Sequence, residues 1–168
     1  MRYTPAAAAL SLLAVITASA SHSAPPEHLD PRASALLAQG QSAIAEGRVH
    51  QAIDAFESAL TVQPGSITVL LNLAEATRKD GMQGKALHYY REALQTDPGN
   101  LQAIAGEGEA LVEKGALERA RRNLARLQGL CGNNCDATRQ LASAISRSAA
   151  PKVVSAEAVK PAPVVSEN

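Results

Sequence analysis

Two cysteines carry the most specific chemistry in this sequence. Cys131 and Cys135 are the only cysteines among 168 residues, and three residues separate them. Thiols this close can form a disulfide, exchange electrons or help to bind a metal. Redox motifs usually separate their cysteines by two residues, and a structural zinc site takes four ligands. The spacing therefore favours a structural disulfide that closes a small loop, and a thiol-redox or metal-handling role is the alternative.

The remaining residues show no arrangement for catalysis or metal binding. The four histidines, His22, His28, His50 and His88, have no i, i+4 ligand spacing. The sequence also contains no glycine-rich phosphate loop and no Gly-x-Ser-x-Gly elbow. We therefore predict a non-enzymatic protein that needs neither a metal nor a cofactor.

The charges are balanced over the whole chain, with 16 basic and 16 acidic residues. Nucleic-acid binding needs a clear cationic surplus, so this balance gives no reason to expect it. One segment is nevertheless basic: Arg119, Arg121, Arg122 and Arg126, partly offset by Glu118. A solvated surface is the favoured interpretation of this run, and an acidic partner or an anionic lipid is the alternative.

The first twenty residues are typical of an export signal. Arg2 gives a positive start, Ala6–Ile16 is apolar except for one serine, and Ala18–Ala20 supplies a small-x-small cleavage pattern. The apolar run is shorter than the roughly 20 residues that a transmembrane helix needs. We predict cleavage after Ala20 and export, to the periplasm of a bacterial envelope, with no stable membrane insertion afterwards. An uncleaved anchor is the alternative. Because an exported chain meets an oxidising compartment, this prediction also favours the disulfide.

A period of 34 residues organises the middle of the chain, as Gly47, Gly81 and Gly115 show. Five further columns follow the same interval: Pro64 and Pro98; Ala52, Ala86 and Ala120; Phe56, Tyr90 and Leu124; Ala59 and Ala93; Gly40, Ala74 and Gly108. A glycine just past a helix end can adopt the left-handed conformation that closes the helix, and a proline prevents a helix from continuing. Each unit is therefore predicted to be two helices joined by a tight turn.

These columns resemble the pattern of the tetratricopeptide repeat family. The second repeat matches with Leu70, Leu73, Ala74, Ala86, Tyr90, Ala93 and Pro98. The first matches with Leu36, Gly40, Ala52, Phe56, Ala59 and Pro64, and the third with Ile104, Gly108, Ala120 and Leu124. The resemblance implies an all-α fold, a right-handed superhelical stack of three helix pairs. Since end repeats need capping, the amphipathic segment 136–147 is predicted to be a C-terminal capping helix.

The outer repeats depart from the family pattern: the third departs at Leu127 and Gly132, and both depart at the position before the small residue. The family has leucine before the small residue, as in Leu73, whereas Gln39 and Glu107 stand there in the first and third repeats. Charged residues are rarely buried without a partner. We therefore expect Glu107 to lie at an exposed edge.

The pattern divides the chain into four parts. A signal peptide over 1–20 and a disordered linker over 21–32 precede a repeat domain over 33–147, and a disordered tail over 148–168 follows it. Within the repeat domain the boundaries are 33–66, 67–100 and 101–130 for the repeats and 136–147 for the cap.

The resemblance also implies a concave groove lined by the first helix of each repeat. Carried over by position, the lining is Leu37, Gln41, Ile44, Thr68, Leu71, Asn72, Glu75, Arg78, Gln102, Ala105, Glu109 and Val112. Some family members clamp a C-terminal carboxylate with five side chains. The equivalent residues here are Leu37, Gln41, Asn72, Gln102 and Ala103, which match only at Asn72 and include no cation. Carboxylate clamping is therefore rejected.

Together these features predict a protein-interaction adaptor of the cell envelope. It is expected to bind a peptide or helix of a partner protein in the groove, with assembly of an envelope complex as one such role. The alternatives are the thiol-redox or metal-handling role of the cysteine pair and a passive module whose tail carries the binding. The sequence specifies neither the partner nor the oligomeric state.

Overall fold

A computed structural model describes residues 27–149, which form seven α-helices and no strand. The helices are α1 (Pro31–Ala45), α2 (Val49–Val62), α3 (Ile67–Lys79), α4 (Gln83–Thr96), α5 (Leu101–Glu113), α6 (Leu117–Cys131) and α7 (Asp136–Ala149). The predicted signal peptide 1–20, residues 21–26 of the predicted linker and residues 150–168 of the predicted tail lie outside the described residues. No helix within 27–149 is both long and apolar enough to cross a membrane.

Helices that are adjacent in sequence pack as antiparallel pairs, α1 with α2, α3 with α4 and α5 with α6. Each pair then packs on the next, because α2 contacts α3, α4 contacts α5, and α6 contacts α7. The first helices of successive pairs also touch, α1 with α3, α3 with α5, and α5 with α7. The predicted all-α stack of three helix pairs with a capping helix is therefore confirmed.

The periodic glycines end the first helix of each pair, as predicted. Gly47, Gly81 and Gly115 have φ values of 75°, 80° and 77°. At the first of these turns, Gly47 N–H donates to the Ile44 carbonyl at 3.0 Å and Arg48 N–H donates to the Ala43 carbonyl at 2.8 Å. The other two turns repeat both bonds. This left-handed closure satisfies carbonyls that the helix end would leave unpaired.

The helix starts follow local capping chemistry. Ser66 and Asn100 accept hydrogen bonds from backbone N–H groups three residues on, at the starts of α3 and α5. Asp30 does the same for the N–H of Arg32, and Pro31 occupies the first position of α1, where a missing N–H costs nothing. For this reason α1 begins at Pro31, inside the segment predicted as linker.

Two other boundaries of the prediction shift. The linker residues Glu27 and His28 are hydrogen-bonded to the start of α3 and to Gln63: Thr68 N–H donates to the Glu27 carboxylate at 2.9 Å, and the Gln63 amide donates to the His28 carbonyl at 3.2 Å. At the other end, α7 continues to Ala149, beyond the predicted end of the cap at residue 147.

Large side chains of one helix fill the space over glycines of another. A Cβ atom at Gly40 would overlap the buried ring of Phe56, and one at Gly106 would overlap the ring of Tyr90. Gly108 leaves room in the same way for Leu141 of α7, which is fully buried. The close approach at Gly108 therefore docks the capping helix on the third repeat.

The prediction that Glu107 lies at an exposed edge is wrong. Its side chain is buried, with 9% of the residue exposed. Arg91 of α4 donates to one carboxylate oxygen at 2.8 Å, and the Asn123 amide of α6 donates to the other at 3.0 Å. The acid can be buried because two neighbouring helices supply a cation and an amide.

Candidate functional site

A groove of about 1030 Å³ lies along α3, α5 and α7, with a contribution from Tyr90 of α4. Two small buried residues, Ala105 and Gly106, line it together with longer polar side chains. The complete lining is Glu75, Arg78, Tyr90, Leu101, Gln102, Ala105, Gly106, Glu109, Cys135, Asp136, Ala137, Arg139, Gln140, Ser143 and Arg147.

Nine of the twelve residues predicted to line a groove do line a cavity. Five of them lie in the large groove: Glu75, Arg78, Gln102, Ala105 and Glu109. Val112 lies in an adjoining cavity of about 530 Å³ that shares Arg78, Glu109 and Arg147 with the groove. Gln41, Ile44 and Asn72 line a smaller cavity of about 170 Å³, where Glu75 is again a neighbour.

The remaining three predicted residues line none of these cavities. Leu37 and Leu71 belong to the core, with 7% exposed in each case. Both side chains lie on the sides of their helices that face the core, where they pack with other buried residues. Thr68 is half-buried at the start of α3, where its N–H is bonded to Glu27.

The capping helix forms one wall of the groove, which the sequence analysis did not predict. Cys135 and six residues of α7 line the groove: Asp136, Ala137, Arg139, Gln140, Ser143 and Arg147. The signal was available in the 34-residue period. Counting 34 residues on from Gln102, Ala105 and Glu109 gives Asp136, Arg139 and Ser143. Helix α7 therefore takes the place of the first helix of a fourth repeat.

Arg78 is the electrostatic centre of the groove. It contacts Glu75 with two nitrogens, at 2.9 and 3.0 Å, and Glu109 at 3.1 Å. It also forms an ion pair with Glu113. These contacts join α3 to α5 and surround one guanidinium with three carboxylates.

Two pKa values reflect this arrangement. Burial raises the pKa of the Glu109 carboxyl above its ordinary value, Arg78 opposes the rise, and the negative charges of Glu75 and Glu113 add to it. Burial also raises the pKa of the Tyr90 hydroxyl, and the nearby Glu75 carboxylate adds to the effect. Because the Tyr90 hydroxyl donates to Glu75 at 3.0 Å, it remains protonated and holds that carboxylate in place.

The cysteine pair lies at the junction of α6 and α7, as predicted. The two sulfurs are within bonding distance and the Cα atoms are 5.9 Å apart, a separation typical of disulfides. The buried Thr138 hydroxyl is 3.1 Å from the Cys135 sulfur and donates to the Gly132 carbonyl at 2.9 Å. A covalent bond here would fix the start of the helix that walls the groove.

The other residues considered for chemistry are dispersed. His50 and His88 are exposed on α2 and α4. No group of three or more His, Cys, Asp or Glu residues that could hold a metal occurs between residues 27 and 149. The four arginines of α6 are all exposed and lie outside the groove.

Comparison with known proteins identifies the repeats. Two family models, both described as tetratricopeptide repeat, match residues 33–66 and 78–130. No curated protein sequence matches the chain.

Several solved structures share the fold. The Sgt2 domain of Aspergillus fumigatus is 25% identical, with a TM-score of 0.65 over 83% of this chain and 92% of that one. The first tetratricopeptide repeat domain of Spaghetti (RPAP3), bound to the HSP90 peptide SRMEEVD, is 23% identical, with a TM-score of 0.63 over 71% of this chain and 97% of that one. The TPR2B domain of yeast Sti1 in a complex with pHsp70 is 16% identical, with a TM-score of 0.65 over 71% and 97%.

Proposed function

Because the chain belongs to the tetratricopeptide repeat family, we propose that it is a non-enzymatic adaptor that binds a segment of a partner protein in its groove. The observation that carries the proposal is the continuous groove of about 1030 Å³ along α3, α5 and α7. The small side chain of Ala105 leaves space for a peptide backbone or a helix, whereas the space over Gly106 is filled by the ring of Tyr90. The amide side chains of Gln102 and Gln140 stand beside this space and can bond to a backbone.

Peptide complexes of proteins with the same fold support this use of the groove. Spaghetti binds the HSP90 peptide SRMEEVD, and yeast Sti1 forms a complex with pHsp70. The partner proposed here differs from the acidic SRMEEVD peptide. On the α3 and α5 side of the groove the described residues offer one cation, Arg78, and three carboxylates of this chain already surround it. A peptide carboxylate placed there would meet negative charge.

The absence of catalysis is part of the proposal. The titratable groups that line the centre of the groove, Glu75, Arg78 and Glu109, are joined in ion pairs, and Tyr90 donates to Glu75. A general base or a nucleophile needs a group free to exchange a proton with the substrate. These side chains are instead suited to holding the shape of the groove.

We place this adaptor in the cell envelope, on the evidence of the apolar run and the small-x-small pattern in residues 1–20. Expression of the full chain in bacteria and mass measurement of the product from a periplasmic extract test this location. The expected product begins at Ser21. A product that retains residues 1–20 and stays with the cytoplasm would contradict it.

Site-specific photocrosslinking tests the groove itself. A photoreactive phenylalanine analogue replaces Gln102 or Gln140 in the groove and, as controls, the exposed Gln51 or Gln95 outside it. We expect one discrete adduct with a cellular protein from both groove positions and none from the controls. Adducts from the control positions alone, or the same adduct from all four, would contradict binding in the groove.

A further inference from the structure

The outer face of α6 carries a cationic stripe, which we define as Arg119, Arg122, Arg126 and Leu130. The spacing of i, i+3, i+7 and i+11 places these side chains in one row along the helix, about 16 Å long at about 1.5 Å per residue. All four residues are exposed, and Leu130, at 52%, is the most exposed of the large apolar residues described. A single plane can therefore touch the whole row.

The charge of this stripe is largely unbalanced. Arg126 donates to the Pro98 carbonyl, a neutral acceptor, and keeps its charge. Within residues 27–149, Arg119 and Arg122 have no acidic side chain within ion-pair distance. The one acid of α6, Glu118, pairs with Arg121, which lies on another side of the helix.

Charge is distributed unevenly along the described residues, and the stripe lies in the more basic part. Residues 27–100 contain nine acidic and six basic residues, whereas residues 101–149 contain five acidic and seven basic residues. The opposite ends of the stack therefore differ in sign. A negatively charged surface would be attracted to the end that carries α6.

The surroundings of the stripe differ from those of the groove. No residue of α6 lines the groove or either of the two smaller cavities. A row of arginines that ends in an exposed leucine on an outward helix face is suited to a flat and anionic surface with an apolar interior.

We infer that the cationic stripe binds the surface of an anionic phospholipid bilayer, with the arginines on the phosphate groups and Leu130 at the edge of the acyl region. An acidic protein could satisfy the arginines. It would leave the exposed Leu130 without an apolar partner. The lipid surface accounts for both the charge and the apolar end of the row. It would leave the groove, on other helices, open to a partner.

Vesicle binding by the full chain tests this assignment. One set of vesicles is phosphatidylcholine, and the other contains about one quarter phosphatidylglycerol. We expect the Arg119→Gln/Arg122→Gln variant to lose about 25-fold in partition onto the anionic vesicles, from about fivefold for each cation near such a surface. The Arg32→Gln/Arg48→Gln variant removes the same charge from the first repeat and should lose less than about twofold. Because all variants keep residues 1–20, any binding by that apolar run is common to them.

Two further results decide between a lipid and a protein. Leu130→Ser should lower partition onto the anionic vesicles about fivefold and leave binding to soluble polyglutamate unchanged. Equal partition of the stripe variant and the control variant would overturn the proposal. Loss of polyglutamate binding in the stripe variant, with vesicle binding intact, would also overturn it and would assign the stripe to an acidic protein.

Discussion

Replacing Arg78 with glutamine should destabilise the groove more than any other single loss of charge there. The guanidinium contacts Glu75 through two nitrogens, Glu109 at 3.1 Å and also Glu113. It joins α3 to α5 and its side chain is only 16% exposed. The variant leaves three carboxylates near one another without their shared cation.

The size of the effect follows from this partial burial. An exposed ion pair contributes about 0.2–1 kcal/mol, whereas removing one partner of a buried pair costs about 3–5 kcal/mol. The Arg78 cluster lies between these limits, since its carboxylates are 21–35% exposed. We expect the free energy of unfolding to fall by about 2 kcal/mol at pH 7. The melting temperature should fall by about 8 °C in a domain of this size.

The loss should depend on pH, with a sign set by Glu109. Burial already raises the pKa of this carboxyl in the folded protein, and Arg78 opposes the rise. Without Arg78 the folded-state pKa rises further above the unfolded value of about 4.3. Between these two values the folded state binds more protons than the unfolded state, so stability increases as the pH falls through the folded pKa. The deficit of the variant should therefore shrink between neutral pH and about pH 4.5.

Urea unfolding, followed by circular dichroism at several pH values, measures this deficit. The matched control is Lys79→Gln, which removes the same charge one residue away. Lys79 is half exposed and reaches only Glu75, at 3.5 Å, so its loss should cost less than about 0.5 kcal/mol. Equal costs for the two variants, or a cost for Arg78→Gln that does not change with pH, would refute this account of the cluster.

Two further changes test the packing and the cysteine pair. Gly40→Ala should lower the free energy of unfolding by about 1–3 kcal/mol in the same urea assay, because the added methyl group overlaps the buried Phe56 ring. The control Gly84→Ala should be neutral or stabilising by up to about 1 kcal/mol, because its methyl group meets no neighbouring atom. Thiol titration of denatured, unreduced protein should find no free thiol at Cys131 or Cys135, and reduction should lower stability by about 2 kcal/mol; two free thiols would show that the disulfide does not form.

The helix order could be predicted because its signals are local and repeated. Gly47, Gly81 and Gly115 each end a helix at the predicted place, and α2 and α4 end before Pro64 and Pro98. Helix α1 begins earlier than predicted, because Asp30 and Pro31, which lie in the predicted linker, cap and start the helix.

The groove could be predicted only in part, because its lining depends on how helices from different repeats face one another. The positions of Gln102 and Glu109 in the groove could be predicted, because the first helix of each repeat keeps the same register. Leu71 shows the limit, since a shift of a fraction of a turn places it in the core. The wall formed by α7 does not follow from the prediction of 136–147 as a cap, because a cap covers the end of the stack and need not line the groove.

Glu107 shows why buried charge is difficult to predict from one sequence. Its partners, Arg91 and Asn123, are 16 residues away in each direction and lie on different helices. Their contact depends on the packing of α4, α5 and α6, which no short motif records. A rule based on the rarity of buried charge therefore gave the wrong environment.

The central claim is that the groove binds the partner, and an affinity comparison tests it most directly. The protein crosslinked through the groove is purified and titrated against the native chain, against Gln102→Arg/Gln140→Arg, and against the control Gln51→Arg/Gln95→Arg. All four glutamines are exposed, so neither variant disturbs the core, and only the first pair lines the groove. We predict that Kd rises at least about tenfold for the groove variant, a loss of about 1.4 kcal/mol, and stays within about twofold for the control. Equal affinity of all three proteins would contradict the claim.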